Sequence, residues 1–428
     1  MRQVIIIGSP GAGKSTFARK LRDLTGLPLY HLDRIWHKPD RTTITKPEFN
    51  ERLAEILAQD EWIIDGNYKR TIEMRLAACD TVFLMDYPVD VCLAGVQERV
   101  GVWHDDLPWV EEILDEEFRQ WVEDFPNEQL PEIYRLIEQY REDRKVVILH
   151  SREEADAYLA EYAERIRFFE RIAANGHVPL ETMDYDGWEL RFAEGYTGRA
   201  NSVLPLGPSQ IAVEDKVAVC EEHYHSRGLP ASFKLTGRDM ELDRFLEAQG
   251  YAKLTPTDVM TLELAAKEDA TAKPGASPES CGTSSADTAE CVFTDEQTEE
   301  WLAAYFAHEG ITDARKRGIF RAMLAKVAVD TVYCALVRDG RIDAVASAAI
   351  EQGYALIHNV VVAPECRGRG LGRKLCAALI GKVAERGAKT AYLQVVQTND
   401  IAKKLYRTLG FERVYTYWYR REQDERGK

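Results

Sequence analysis

The stretch Val360 to Gly372, VVVAPECRGRGLG, decides how this chain is read. A β-branched run stops at Pro364, and an arginine with three alternating glycines then opens an apolar, helix-periodic segment from Leu371 to Val383. That order predicts strand, loop, helix. Glycines let a backbone come close to a ligand, and free amides at a helix N-terminus attract anions, so the loop suits a pyrophosphate. A second apolar strand is expected at Thr390 to Val395, followed by NDIAKKLYRTLGF from Asn399 to Phe411.

Together these stretches resemble the GNAT acyl-CoA N-acyltransferases. The Arg-x-x-Gly-x-Gly pattern falls on Arg367, Gly370 and Gly372, and the Asn-x-x-Ala-x-x-Leu-Tyr-x-x-x-Gly-Phe pattern on Asn399, Ala402, Leu405, Tyr406, Gly410 and Phe411. The resemblance implies a mixed α+β sheet, acetyl-CoA as donor, and an amine of a small molecule or peptide as acceptor. It also implies site roles: strand amides at Val360, Val361 and Val362 for the pantetheine arm, with Asn399 bonding to it. The loop amides of Arg367, Gly368, Arg369, Gly370, Leu371 and Gly372 would hold the pyrophosphate, and Tyr406 would protonate the leaving thiolate. An amine attacks only when neutral, so a base or a water relay is needed. Glu351, at a strand end, and His358, on the next strand, are the candidates; His358 also reads as a core residue.

At the other end, Gln3 to Ile7 is a buried-type strand, and GSPGAGKST follows at once from Gly8 to Thr16. This completes Gly-x-x-x-x-Gly-Lys-Ser/Thr in its strand-to-helix context. Amides of Gly8, Gly11, Ala12, Gly13 and Thr16 would cradle phosphates of ATP or GTP, Lys14 would reach the β- and γ-phosphates, and Ser15 would ligate Mg²⁺. Strands and helices then alternate up to Val146 to His150, which predicts a doubly wound parallel sheet with ligands at the strand C-termini. Asp33, Asp65 and Asp86 stand at those ends.

The P-loop, His31-Leu-Asp33 with Trp36, Asp65-Gly-Asn-Tyr68 and Arg99 resemble adenylate-kinase-related topology modulation proteins over about residues 1 to 165. The resemblance implies that Asp33 positions or deprotonates an acceptor hydroxyl. Asp65 or Asp86 could hold Mg²⁺ through water, or each could be a helix N-cap. The lid departs from the pattern: after Arg99 it reads GVWHDDLPWVEEILDEEF, strongly acidic, with Arg70 and Arg75 as possible substitutes for the missing arginines.

Between the two ends, LEAQGY at Leu246 to Tyr251 echoes YRTLGF at Tyr406 to Phe411, which suggests an internal repeat. The middle copy has only Pro205-Leu-Gly-Pro208 where the arginine-glycine loop would be, and reads as a degenerate GNAT half. The expected order is therefore a P-loop kinase-like domain over 1–165, a degenerate half over 166–266, a Pro/Ser/Gly-rich linker over 267–290 and an acetyl-CoA-binding domain over 291–428. Net charge −16 argues against nucleic acid as a partner, and the eight cysteines include no Cys-x-x-Cys pair, as expected of a cytoplasmic protein. The apolar runs are strand-sized, so no membrane partner is expected, and oligomeric state is left open.

Overall fold

Gln3–Gly8, an apolar strand buried on both faces, is β1, the middle of a five-stranded sheet in a computed structural model that describes residues 1–264 and 289–423. The chain forms two compact units, residues 1–165 and 166–428. In the first, β1 is flanked by β2 (Leu29–His31), β3 (Trp62–Asp65), β4 (Thr81–Met85) and β5 (Lys145–Leu149) in the order β2-β3-β1-β4-β5. All four pairings are parallel. Such a sheet needs cover on both faces, which explains why QVIIIG and TVFLM lack a polar alternation.

Helices α1 (Lys14–Thr25), α2 (Leu32–Trp36), α3 (Lys46–Leu57), α4 (Ile72–Ala78), α5 (Val89–Gln97), α6 (Glu116–Glu128) and α7 (Leu130–Gln139) supply that cover. One expectation changes. Asp33 does not close a strand but lies in the first turn of the short α2, where its charge suits the positive helix end. The acidic lid is irregular from Arg99 to Asp115.

α8 (Arg152–Gly176) carries residues of both units. The second unit continues with β6 (Glu181–Tyr185), β7 (Trp188–Phe192), β8 (Val203–Pro205), α9 (Val213–His225), β9 (Ser232–Thr236), α10 (Met240–Ala248) and β10 (Ala252–Glu263). Then come β11 (Glu290–Thr294), α11 (Glu299–Glu309), α12 (Ala314–Leu324), β12 (Asp330–Arg338), β13 (Arg341–Glu351), β14 (Tyr354–Val362), α13 (Leu371–Glu385), β15 (Thr390–Val396), α14 (Asp400–Thr408) and β16 (Glu412–Arg421). The linker expected at 267–290 lies outside the described residues, apart from its final two, which already lead into β11.

These strands make one eleven-stranded sheet, ordered β11-β12-β13-β14-β15-β10-β16-β9-β8-β7-β6. The expected halves 166–266 and 291–428 interlock in it. β10 of the first half lies between β15 and β16 of the second, and β16 pairs onward with β9 of the first. Cores follow the exchange: Met260 of β10 is buried with Val332, Leu375 and Leu393, while Trp418 of β16 is buried with Trp188, Tyr224 and Phe233.

β10 runs through Pro256, because a register shift between Leu254 and Thr257 absorbs it. Among the described residues no helix is long and apolar enough to cross a membrane.

Buried Trp418 also donates its Nε1–H to Asp243 at 2.6 Å. Trp418→Ala is expected to lower stability by about 3–5 kcal/mol. The urea midpoint of the full chain checks this; a loss under about 1 kcal/mol would mean that β16 does not carry the first half's core.

Candidate functional site

The second unit opens where β14 leaves β15. The two parallel strands pair only through Tyr354↔Thr390, Ala355↔Ala391 and Leu356↔Tyr392. Beyond Leu356, β14 bulges at Asn359, whose φ is +54°, and its side facing β15 has no strand partner through Val360, Val361 and Val362. β15 meanwhile pairs with β10 up to Val396. A wedge is left between the strands.

The glycine-rich loop lies at the end of β14. Gly368 and Gly370 have φ +74° and +76°, and α13 begins at Leu371 with no side-chain cap. A non-glycine residue at either position would be strained. Among the described residues, nothing accepts from the amides of Gly368 to Arg373, and the exposed Arg367, Arg369 and Arg373 surround them. The Arg367 Nε pins the loop to Val362 O at 3.1 Å. Gly372 is closed over by Leu405, which a Cβ there would meet at 3.1 Å, so α14 packs on the first turn of α13. Tyr406 follows on α14, against Phe411 with ring centroids 5.9 Å apart, and burial pushes its phenol well above the ordinary value. These features fit a diphosphate at the loop and an extended acyl carrier in the wedge.

The first half of this unit repeats the wedge and fills its loop. β8 and β9 share one parallel pair, Val203↔Phe233. Ahead of α9 the Asp186 carboxylate accepts from Ile211 N at 2.9 Å, Gln210 N at 3.0 Å and Ser209 Oγ at 2.7 Å. Those bonds, with the backbone amide of Ile211 foremost, hold its carboxyl far below the usual range. The position where an anion would sit is thus taken by the chain's own anion, in a Tyr-Asp-Gly turn whose sequence signals only a hairpin.

Two expected residues have partners within the chain. Asn399 caps α14 by accepting from Ala402 N at 3.1 Å, which leaves its side-chain N–H groups to donate. Glu351 ends β13 opposite Tyr354, two residues or roughly 7 Å of strand before Leu356 and so on the closed side of the wedge. Its carboxylate accepts from Asn175 Nδ2 at 2.9 and 3.1 Å. His358, by contrast, is the second residue past the last β14–β15 pair.

In the first unit, the loop from Pro10 to Thr16 borders a cleft of about 1040 Å³ together with Asp33, Asp65 and Arg99. Gly11 and Gly13 have φ +78° and +85°, and a Cβ at Gly11 would come within 2.0 Å of Cys92 O. The Lys14 ammonium donates to Gly8 O at 3.1 Å and Ser9 O at 2.9 Å, and burial lowers its pKa against the pull of Asp65 and Asp33. Burial raises the Asp33 carboxyl, which accepts from Tyr68 OH at 2.8 Å. Asp65 meets His31 Nδ1 at 2.8 Å. Asn67, whose role was not read from sequence, brackets Gly8 through N–H and C=O at 3.0 and 2.9 Å.

The lid folds its acids inward. Asp106 takes Arg99 at 2.9 Å and lies beside the Ser15 hydroxyl, while Asp105 takes Arg19 at 2.7 Å. Burial would push the Asp106 carboxyl up, yet Arg99 and Ser15 outweigh it and keep it low. Neither substitute arginine is available: Arg75 is fully buried, donating to Gly66 O at 2.7 Å and to Asn67 O, and Arg70 holds Asn50 at 2.7 Å. Asp86 is no helix cap, since it accepts from Tyr134 OH at 2.7 Å and α5 starts after Pro88.

A family model described as "Probable histone acetyltransferase Rv0428c C-terminal" matches residues 163–420. The uncharacterized N-acetyltransferase YobR of Bacillus subtilis is 26% identical over 263 residues, 60% of this chain and 98% of that protein. The ribosomal protein bS18-alanine N-acetyltransferase of Haemophilus ducreyi is 40% identical over 60 residues, 14% of this chain and 41% of its own length. An adenylate kinase of Thermotoga petrophila is 30% identical over 97 residues, 22% of this chain and 43% of that enzyme.

His358 yields a prediction. Burial, with Arg199 beside it, holds the imidazole down at about 3, against an ordinary value of 6.5. Between those values the unfolded chain binds more protons, so stability rises with pH. As pH falls below about 6.5, this group should remove up to about 1.4 kcal/mol per pH unit, and His358→Gln should flatten that slope. Urea unfolding at pH 7, 6 and 5 measures it; equal slopes in the two proteins would refute the assignment.

Proposed function

We propose that this chain, which belongs through residues 163–420 to the family described as "Probable histone acetyltransferase Rv0428c C-terminal", moves the acetyl group of acetyl-CoA to an amine of a small molecule or peptide. It is a GNAT-family N-acetyltransferase by homology. The observation that carries the site assignment is the wedge beside β14, which leads directly into an uncapped, glycine-opened helix.

In this reading the backbone of Val360 to Val362 takes the place of a neighbouring strand for the pantetheine arm, and the amides from Arg367 to Gly372 hold the diphosphate. The acceptor nitrogen forms the C–N bond while the C–S bond breaks. Its surplus proton leaves through water, since burial holds His358 too acidic to take it and Glu351 stands on the closed side of the wedge. Tyr406, kept protonated by burial, supplies the proton that the thiolate takes up.

For residues 1–165 we propose a site for ATP or GTP with Mg²⁺. Lys14 would meet the phosphates, Ser15 would hold the metal directly and Asp65 through water, and Asp33 would face an acceptor hydroxyl. That Asp105 and Asp106 engage Arg19, Arg99 and Ser15 favours nucleotide binding with little phosphoryl transfer, since the cations that would neutralise a moving phosphoryl group are occupied.

Two experiments test these readings. Acetyl-CoA should raise the melting temperature of the full chain, and Arg367→Glu should abolish that rise. Tyr406→Phe should keep the rise but lower amine-dependent CoA release about 100-fold; a variant within threefold of the parent removes the general-acid role. Mg-ATP should likewise stabilise the chain and fail with Lys14→Ala, while Asp106→Asn should tighten it about tenfold. Weaker binding by Asp106→Asn would instead make that carboxylate part of the nucleotide site.

A further inference from the structure

His358 and Gln394 are each two residues beyond the last β14–β15 pair, Leu356↔Tyr392, so they flank the start of the wedge. They share the sheet face opposite α13, because Ala355, Ile357, Ala391 and Leu393 pack on the α13 side. A short helical turn at Gly198–Ala200, between β7 and β8, brings Arg199 to them from the first half of the unit. Its Nε donates to Gln394 Oε1 at 2.8 Å, and Tyr417 of β16 donates to the same oxygen at 3.3 Å.

The chain leaves this cluster unfinished. Gln394 Nε2 and His358 Nδ1 are buried without a hydrogen-bond partner. The His177 ring meets the His358 ring edge-on at 4.9 Å, and its own Nδ1 is already bonded to Ala173 O. Among the described residues no carboxylate pairs with Arg199, which faces the phenols of Tyr417 and Tyr419 instead. Glu170, an acid close to Tyr419, is taken by Lys234 at 2.5 Å and by Tyr415 OH at 2.8 Å. A half-buried guanidinium without an anion carries a desolvation cost, and an unpaired buried amide N–H beside it adds to that cost. Both are relieved by one planar anion that accepts from Arg199 and Gln394 together.

We infer that this cluster is the acceptor subsite and that it binds a carboxylate, so that the amine acetylated belongs to an amino-acid-type molecule. The inference deepens the acyl-transfer reading and rests on it. The carboxylate lies against Arg199 and Gln394 Nε2, and the amine turns toward His358 and the mouth of the wedge. One guanidinium balances a single negative charge, which suits a carboxylate better than a dianionic phosphate. A cationic peptide tail is disfavoured at the same place, despite the acidic net charge of the chain.

The test uses the full-length protein with acetyl-CoA and reads CoA release with the twenty standard α-amino acids, β-alanine and 4-aminobutyrate, each against its own carboxamide. At least one acid should exceed its amide about tenfold or more in kcat/KM. Arg199→Gln should cut that acid's kcat/KM about 10- to 100-fold, mainly through KM, and leave the amide unchanged. Arg199→Lys, which keeps the charge, should restore part of the loss. Both variants should melt like the parent and keep its stabilisation by acetyl-CoA, which separates lost recognition from lost folding.

Equal use of acids and amides, a preference that survives Arg199→Gln, or stabilisation by acetyl-CoA without acetylation of any of these acids would overturn the inference and leave acyl transfer standing. No stabilisation by acetyl-CoA would remove the acyl-transfer reading, and this inference with it.

Discussion

The antiparallel pairing of β10 with β16 is the constraint on which the second unit depends. It runs from Ala252↔Arg421 to Thr261↔Glu412 and joins the final strands of two halves that each lie beside the other half's sheet. Neither half closes alone. Side chains lock the exchange: Arg420 on β16 donates to Asp243 of α10 at 2.7 and 3.0 Å, with the Trp418 indole on the same carboxylate. A buried pair of this kind adds little net stability, but loss of one partner strands a charge, which makes the register hard to change. The same pairing brings Tyr417 to Gln394 and holds Arg199 near β15, so the polar cluster at the wedge is assembled from both halves.

Two loops of similar construction meet opposite ends. One is filled by Asp186; the other leaves its amides free and adds arginines around them. In the first unit the lid does what Asp186 does, by bringing a carboxylate to the hydroxyl that would hold a metal. An internal carboxylate can satisfy the donors of an anion site at no entropic cost of association, so a free loop and a filled one differ in what they can bind even where the backbone is alike. Net charge of the whole chain says little at this scale. The protein is acidic overall, while the face of the wedge opposite α13 carries an unpaired guanidinium and two imidazoles that burial keeps neutral.

Much of this was legible in the chain. Hydrophobic runs gave the parallel strands of the first unit, and two glycine-rich loops announced themselves by spacing, with the positive φ that glycine allows. What sequence could not give is which neighbour a strand takes, because β10 and β16 read the same in either pairing. Pro256 lies inside β10, where a bulge absorbs it. Arg75 and Arg199 are alike as letters, yet one pins carbonyls inside a loop and the other is left without an anion. Glu351 looked suitable by order along the chain, but its register opposite Tyr354 puts it on the closed side of the wedge, bonded to Asn175.

The strand exchange also sets a timetable. β10 ends at residue 263, whereas its partners β15 and β16 begin at residues 390 and 412. At roughly 5–20 residues per second, a ribosome needs about 8–30 s to bring out the last of them. For that interval the first half has an unpaired strand and a core lacking Trp418, so a nascent chain halted before β16 presents a bare edge. Folding of this unit is thereby made conditional on its own completed translation, and stalled products are the ones open to chaperones and proteases.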